Sequence, residues 1–201
     1  MKQVFWYKVV GDTDRIEYLK KFSIAVIGSR MLMELLWRVG VGCIRYIGDV
    51  VTPVDVRIDC TIKPLEANDY DVVHPMSSDS TIISYLAPDS KKDFKRLLRG
   101  CDVVIAHKYI SIAAEIAEEI GAPFIPDIIT TFLPDGISFF EVEYPSTSYD
   151  PISYAITCSV QAGEVLRILT GYELPILAPE AYIVDVKSKE YLKRIELKVK
   201  R

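Results

Sequence analysis

Phe22–Asp49 reads FSIAVIGSRMLMELLWRVGVGCIRYIGD, and its order of patterns decides the fold class. Ser23–Ile27 is a continuous apolar run stopped by Gly28, as expected of a strand buried on both faces of a parallel sheet. Met31, Leu32, Leu35, Leu36 and Val39 then keep helical spacing until Gly40 and Gly42. A second run, Cys43–Ile47, ends at Gly48-Asp49. Strand, turn, helix and strand in this order form a nucleotide-binding unit, in which free N–H groups at a helix N-terminus face a phosphate. The turn itself is rewritten: Gly28 holds the first place of a GxGxxG pattern, but Arg30 and Met33 occupy the next two glycine places.

The rest of the chain extends this unit. Asp12 or Thr13 is suited to cap a short helix running to Phe22. Residues 52–88 are the least regular portion and read as a crossover, with short strands near Val56–Ile58 and Tyr70–Val73. Helices are expected over Asp89–Arg99, Ile112–Ile120 and Ile152–Thr170, the last opened by Pro151 and closed by Gly171. Strands are expected over Asp102–Ala106, Phe124–Ile129 and Ile137–Tyr144. Tyr182–Lys187 and Tyr191–Val199 alternate in period two around Ser188-Lys189 and predict a terminal hairpin. The expectation is one α/β domain over residues 1–201: a Rossmann-like, mostly parallel sheet with helices on both faces and an antiparallel C-terminal hairpin at its edge.

Composition narrows the function. With 201 residues, 50% apolar and a net charge of −4, the chain has ample material for a core and no charge excess suited to nucleic acid or a membrane surface. Cys43, Cys60, Cys101 and Cys158 are widely spaced, which argues against a zinc site or a disulfide framework. No signal-peptide pattern or membrane-length apolar run is present, so a cytoplasmic location is expected.

In the order and spacing of its motifs the chain resembles the ThiF/MoeB/HesA superfamily, the fold of ubiquitin-activating enzymes. IAVIGSRMLMELLWRVGVGCIRYIGDVV stands for the strand–GxGGLG–helix–strand unit, CDVVIAHKYI (Cys101–Ile110) for the strand DLVIDATDN, and Ser159–Leu197 for the closing helix and hairpin. The resemblance implies ATP-dependent adenylylation of a carboxylate, with Mg2+, in a homodimer. It also shows losses. The ribose-binding Asp falls on Ile47, with its second Asp at Asp49; the metal-associated Asp falls on Tyr109; the phosphate-binding Arg and Lys, the zinc cysteines and a thioester cysteine have no counterpart. Such losses resemble the small branch tied to guanylylpyridinol cofactor assembly for the mono-iron hydrogenase. That branch implies activation of a pyridinol carboxylate, with the acyl group handed to another protein. A silent nucleotide-binding scaffold and adenylylation of a ubiquitin-like sulfur carrier's C-terminus are the alternatives.

Activating a carboxylate needs ATP held in place and the charge on its phosphates neutralised. Gly28 permits close backbone approach, and Ser29 and Arg30 sit at the helix N-terminus, where a cation opposes the macrodipole and favours an anion nearby. A full dinucleotide site is disfavoured because Arg30 and Met33 crowd the pyrophosphate approach. Asp49 follows the second strand where ribose carboxylates lie, the alternative being a solvated turn residue. His107 and Lys108 follow another strand end; Lys108 is suited to phosphate, and His107 to base, ribose or substrate. Asp127 is a candidate Mg2+ ligand, and with Thr130 and Thr131 a candidate substrate wall. Arg15 reads as a solvated helix residue or as a phosphate contact made across a dimer. Asp79-Ser80-Thr81 offers further polar groups in the crossover, while Cys158 reads as a small core hydrophobe.

Overall fold

A computed structural model describes residues 18–48, 71–76 and 80–200. The expected Val56–Ile58 strand, Arg15, Asp49, Cys60 and most of the N-terminal helix lie outside these residues. Within them, β1 (Ser23–Ile27), α1 (Arg30–Val39) and β2 (Cys43–Gly48) form the unit read from the opening motif. Next come β3 (Asp71–Met76), β4 (Ser80–Leu86), α2 (Lys91–Leu98), β5 (Val103–Ala106), α3 (Ile110–Ile120) and β6 (Phe124–Ile125). The chain closes with α4 (Pro151–Thr170), β7 (Glu180–Val184) and β8 (Leu192–Glu196).

The main sheet has the order β3-β4-β2-β1-β5-β6, parallel throughout except for the antiparallel edge strand β3. Period-two alternation divides its side chains between two cores. Ile24 and Val26 face α1 and α4, packing with Leu32, Leu36, Val165 and Leu169. Ala25 and Ile27 face α2 and α3, packing with Phe94, Leu98, Ala113 and Ile116. Each fully buried aliphatic side chain contributes about 1.5–3 kcal/mol, so two dry faces per strand explain the uninterrupted apolar runs of β1 and β5. Arg45 of β2 donates to the carbonyls of Leu97 and Arg99, both at 2.8 Å, and so fastens the C-terminal end of α2 to the sheet.

Three expectations are corrected. Residues 80–86 are not irregular: β4 pairs in parallel with β2 over Thr81–Leu86. Ile137–Tyr144 is not a strand; Ser138 and Glu141 form a capping box that opens a 3-10 turn at Phe139–Glu141, and only Val142 bridges, to Val199. The strand expected at Phe124–Ile129 stops at Ile125, ahead of Pro126, which has no N–H for a ladder. The hairpin forms as a two-stranded sheet of its own, joined to the residues after β6 by the Ile129–Tyr182 bridge.

Candidate functional site

In the main sheet the chain moves outward from β1 to β2 and β4, then returns to β5 on the other side of β1. The order therefore reverses between β1 and β5, and ligands of open α/β sheets bind in the crevice beyond the carboxyl ends of such a strand pair. Gly28 follows β1 and His107 follows β5, so the topology brings these two turns together. Backbone bonds continue past both strands: His107 N–H donates to the Ile27 carbonyl and Gly28 N–H to that of Ile47, each at 2.8 Å.

Gly28 has φ +75°, a left-handed conformation that a side chain rarely adopts. A Cβ there would stand 2.6 Å from Cγ of Lys108, so the lysine stem lies directly across the turn. Ser29 is the N-cap of α1 and is fully buried, its Oγ accepting from Leu32 N–H. The same Oγ accepts from the Tyr154 hydroxyl at 2.7 Å and lies 3.5 Å from Sγ of Cys158. Ser29 thus orders the turn from beneath, and Arg30, half-buried, opens the helix.

His107 connects the turn to α4. Its Nε2 lies 2.8 Å from Oε1 of Gln161, and its ring meets Tyr154 edge to face at 5.4 Å. Gln161 is fully buried and donates its amide to the carbonyls of Pro126 and Ile128, at 2.7 and 3.1 Å. Burial lowers the His107 pKa below 6.5, against opposing contributions from Gln161 and Asp127, so the ring is neutral at pH 7. Tyr109 is half exposed and has φ +55°. This is a costly conformation for a non-glycine residue, and it lies at the start of α3.

Asp127 follows β6. Its carboxylate oxygens accept the hydroxyls of Tyr144 and Thr147, one each. Burial and the neighbouring Asp127 charge push the Tyr144 and Tyr149 hydroxyls up, so both stay protonated, and Tyr144 is the one that donates to Asp127. Thr130 and Thr131 lie elsewhere. Thr130 donates to the Glu180 carbonyl at 2.8 Å, Thr131 pairs through its backbone with Ile176 and Ala178, and both side chains are buried beneath that segment. Among the described residues no group of three or more His, Cys, Asp or Glu is placed to hold a metal ion.

The crevice therefore unites Gly28, Ser29, Arg30, His107 and Lys108, with Asp127 beyond His107. Sequence reading missed the contribution of α4, whose Tyr154, Cys158 and Gln161 hold the two turns. Tyr154, Thr157, Cys158, Gln161 and Glu164 recur at helical spacing, and that polar stripe on the longest helix was the available signal.

No family model and no curated protein matches the chain. Solved structures do. The chain superimposes on PaaA with a TM-score of 0.65 at 16% identity, covering 93% of this chain and 68% of PaaA. With E. coli MccB crystallised with ATP the TM-score is 0.68 at 11% identity, covering 96% of this chain and 70% of MccB. The microcin C7 biosynthetic enzyme MccB, in complex with N-formylated MccA, gives a TM-score of 0.66 at 11% identity over the whole chain and 73% of that enzyme. The chain has the fold of these proteins. Among the described residues, no helix is long and apolar enough to cross a membrane.

Proposed function

We propose that this chain is an adenylyltransferase that activates a carboxylate with ATP. The observation that carries the reading is the switch-point crevice itself. In a fold shared with MccB, which has been crystallised with ATP, a lysine lies across the glycine turn and an arginine opens the helix behind it. Together Arg30 and Lys108 supply the positive charge that a triphosphate requires. Gly28 lets the phosphates approach the backbone, and His107 faces the nucleoside or the acid. Asp49, beyond β2, remains the proposed ribose contact, and Arg15 a contact made across a homodimer.

In the reaction a substrate carboxylate oxygen attacks the α-phosphorus. The bond from phosphorus to the bridging oxygen breaks and pyrophosphate leaves with its electron pair, so no proton need be transferred. The protein's part is alignment and charge neutralisation. Mg2+, when bound, would neutralise charge on the triphosphate, and Asp127 is the protein carboxylate proposed to hold it. Because Asp127 already accepts two hydroxyls, a metal there must displace or share them.

The proposed acid is a small molecule, with the guanylylpyridinol carboxylate first in line from the resemblance to the guanylylpyridinol branch; the pocket wall would be Asp127 with its hydroxyl partners Tyr144 and Thr147. The complexes of MccB with MccA favour a second reading, in which a polypeptide acid such as the C-terminus of a carrier protein is activated. Pyrophosphate release tests the chemistry. ATP with the pyridinol should release it, and Lys108→Ala and Arg30→Ala should each lower the rate about 100-fold or more. ATP binding without pyrophosphate from either kind of acid would instead identify a silent scaffold. Turnover with a carrier protein but not the pyridinol would move the substrate and leave the chemistry.

A further inference from the structure

The hydrogen bonds around Gln161 dictate more than its own position. The carbonyls of Pro126 and Ile128 can only accept, so both must receive the Gln161 amide N–H groups. That fixes Oε1 toward His107, and an oxygen without hydrogen can only accept. His107 Nε2 must therefore carry the proton. In the neutral ring this leaves Nδ1 a bare lone pair, and Nδ1 is buried with no hydrogen-bond partner among the described residues. A second proton on Nδ1 would place a buried cation's N–H opposite no acceptor, which costs more than an unfilled lone pair.

We infer that Gln161 is a positioning residue that locks His107 as its Nε2–H tautomer, so that Nδ1, covered as the chain stands, becomes a hydrogen-bond acceptor for a ligand that opens the β1–β5 crevice, and selects a hydroxyl or amino donor. The ligand half of this inference rests on the nucleotide reading above; the tautomer rests on the hydrogen bonds alone. The two turn residues after β5 then divide the ligand between them. Lys108 takes anionic oxygens, and His107 refuses them, since a phosphate or carboxylate oxygen would set lone pair against lone pair. On a nucleotide the donors are the ribose hydroxyls and the adenine amino group.

The tautomer can be read directly on the intact protein. The chain has only two histidines, so a nitrogen NMR spectrum of the imidazoles is short, and His107→Asn assigns it. The expected pattern is a pyridine-like Nδ1 and a pyrrole-like Nε2 at neutral pH. The opposite pattern, or a doubly protonated ring, overturns the inference without any variant having to fold.

Calorimetry with ATP, 2′-deoxy-ATP, 3′-deoxy-ATP and N6,N6-dimethyl-ATP tests the ligand half. One analogue should bind about 10-fold or more weakly than ATP, since removing a donor leaves Nδ1 buried and unfilled. Equal affinity for all four overturns the selection. If ATP itself does not bind at millimolar concentration, the nucleotide reading falls and takes the ligand half with it, while the spectrum still decides the tautomer. Gln161→Leu should mix the two ring-nitrogen signals and bring the affinity ratios toward one. A merely structural glutamine would weaken every nucleotide alike and leave the ratios and the spectrum unchanged.

Discussion

Two regions of this molecule are laced by polar groups, and they differ in what those groups do. Between α2 and α3, Lys91 reaches Glu115 and Glu119, and Lys95 reaches Glu119, all at 2.7 Å and all substantially exposed. Between α4 and the strand ends, Tyr154 reaches Ser29 and Gln161 reaches His107, Pro126 and Ile128, mostly out of water and mostly between neutral groups. Formal charge would rank the first region higher. Solvent reverses the ranking: exposed ion pairs are screened and gain little, whereas a buried polar group that loses its partner bears its full desolvation cost.

The strongest way to break this comparison is Gln161→Leu. It strands two buried carbonyls and the Nε2 proton of His107, and a loss of about 2–5 kcal/mol is expected from urea unfolding. Tyr154→Phe removes one hydroxyl from Ser29 and should cost about 1 kcal/mol by the same measurement. Glu119→Gln, despite removing a residue with two short ion pairs, should leave the urea midpoint close to that of the parent. A midpoint shift for Glu119→Gln exceeding that of Gln161→Leu would invert the ranking.

Acidity separates the two regions further. The His107 pKa in the folded chain lies below its ordinary 6.5, so below that value the unfolded chain binds the extra proton first. Its contribution is therefore full above about pH 6.5 and is lost as the pH falls toward the folded value. Lys91 and Lys95 hold Glu119 down at about 2 from an ordinary 4.5, so its smaller contribution is present above 4.5 and lost between there and about 2. Urea midpoints across pH at low and high salt should separate them, with the lower step fading in salt and the upper one persisting. The smallest effect expected is at the thiols. Burial raises Cys101 to about 11, so the native protein should alkylate there at pH 8 far more slowly than the unfolded chain.

The same division explains what sequence could reveal. The β1–α1–β2 unit was legible because strands dry on both faces leave uninterrupted apolar runs, and the glycine turn then punctuates them. Strand β4 was not, because STIISYL mixes Ser and Thr into a half-buried pattern that also suits a loop. Gly28, Arg30, His107 and Lys108 could be proposed because each follows a recognisable strand. Gln161 was harder to single out: between Val160 and Ala162 it reads only as one member of a polar stripe, and its value depends on carbonyls more than thirty positions away.

That distance has a consequence for the order in which the protein can be made. A ribosome delivers the glycine turn, the β5 end and the β6 end before it delivers residues 151–170, and domains gain structure as they emerge. Until α4 arrives, Ser29 lacks its tyrosine and His107 its glutamine, so a nascent chain can hold the outline of the sheet while its histidine is still free to turn and to exchange its proton between nitrogens. The carboxyl end of the sheet is set last, by the helix made after every strand of that sheet.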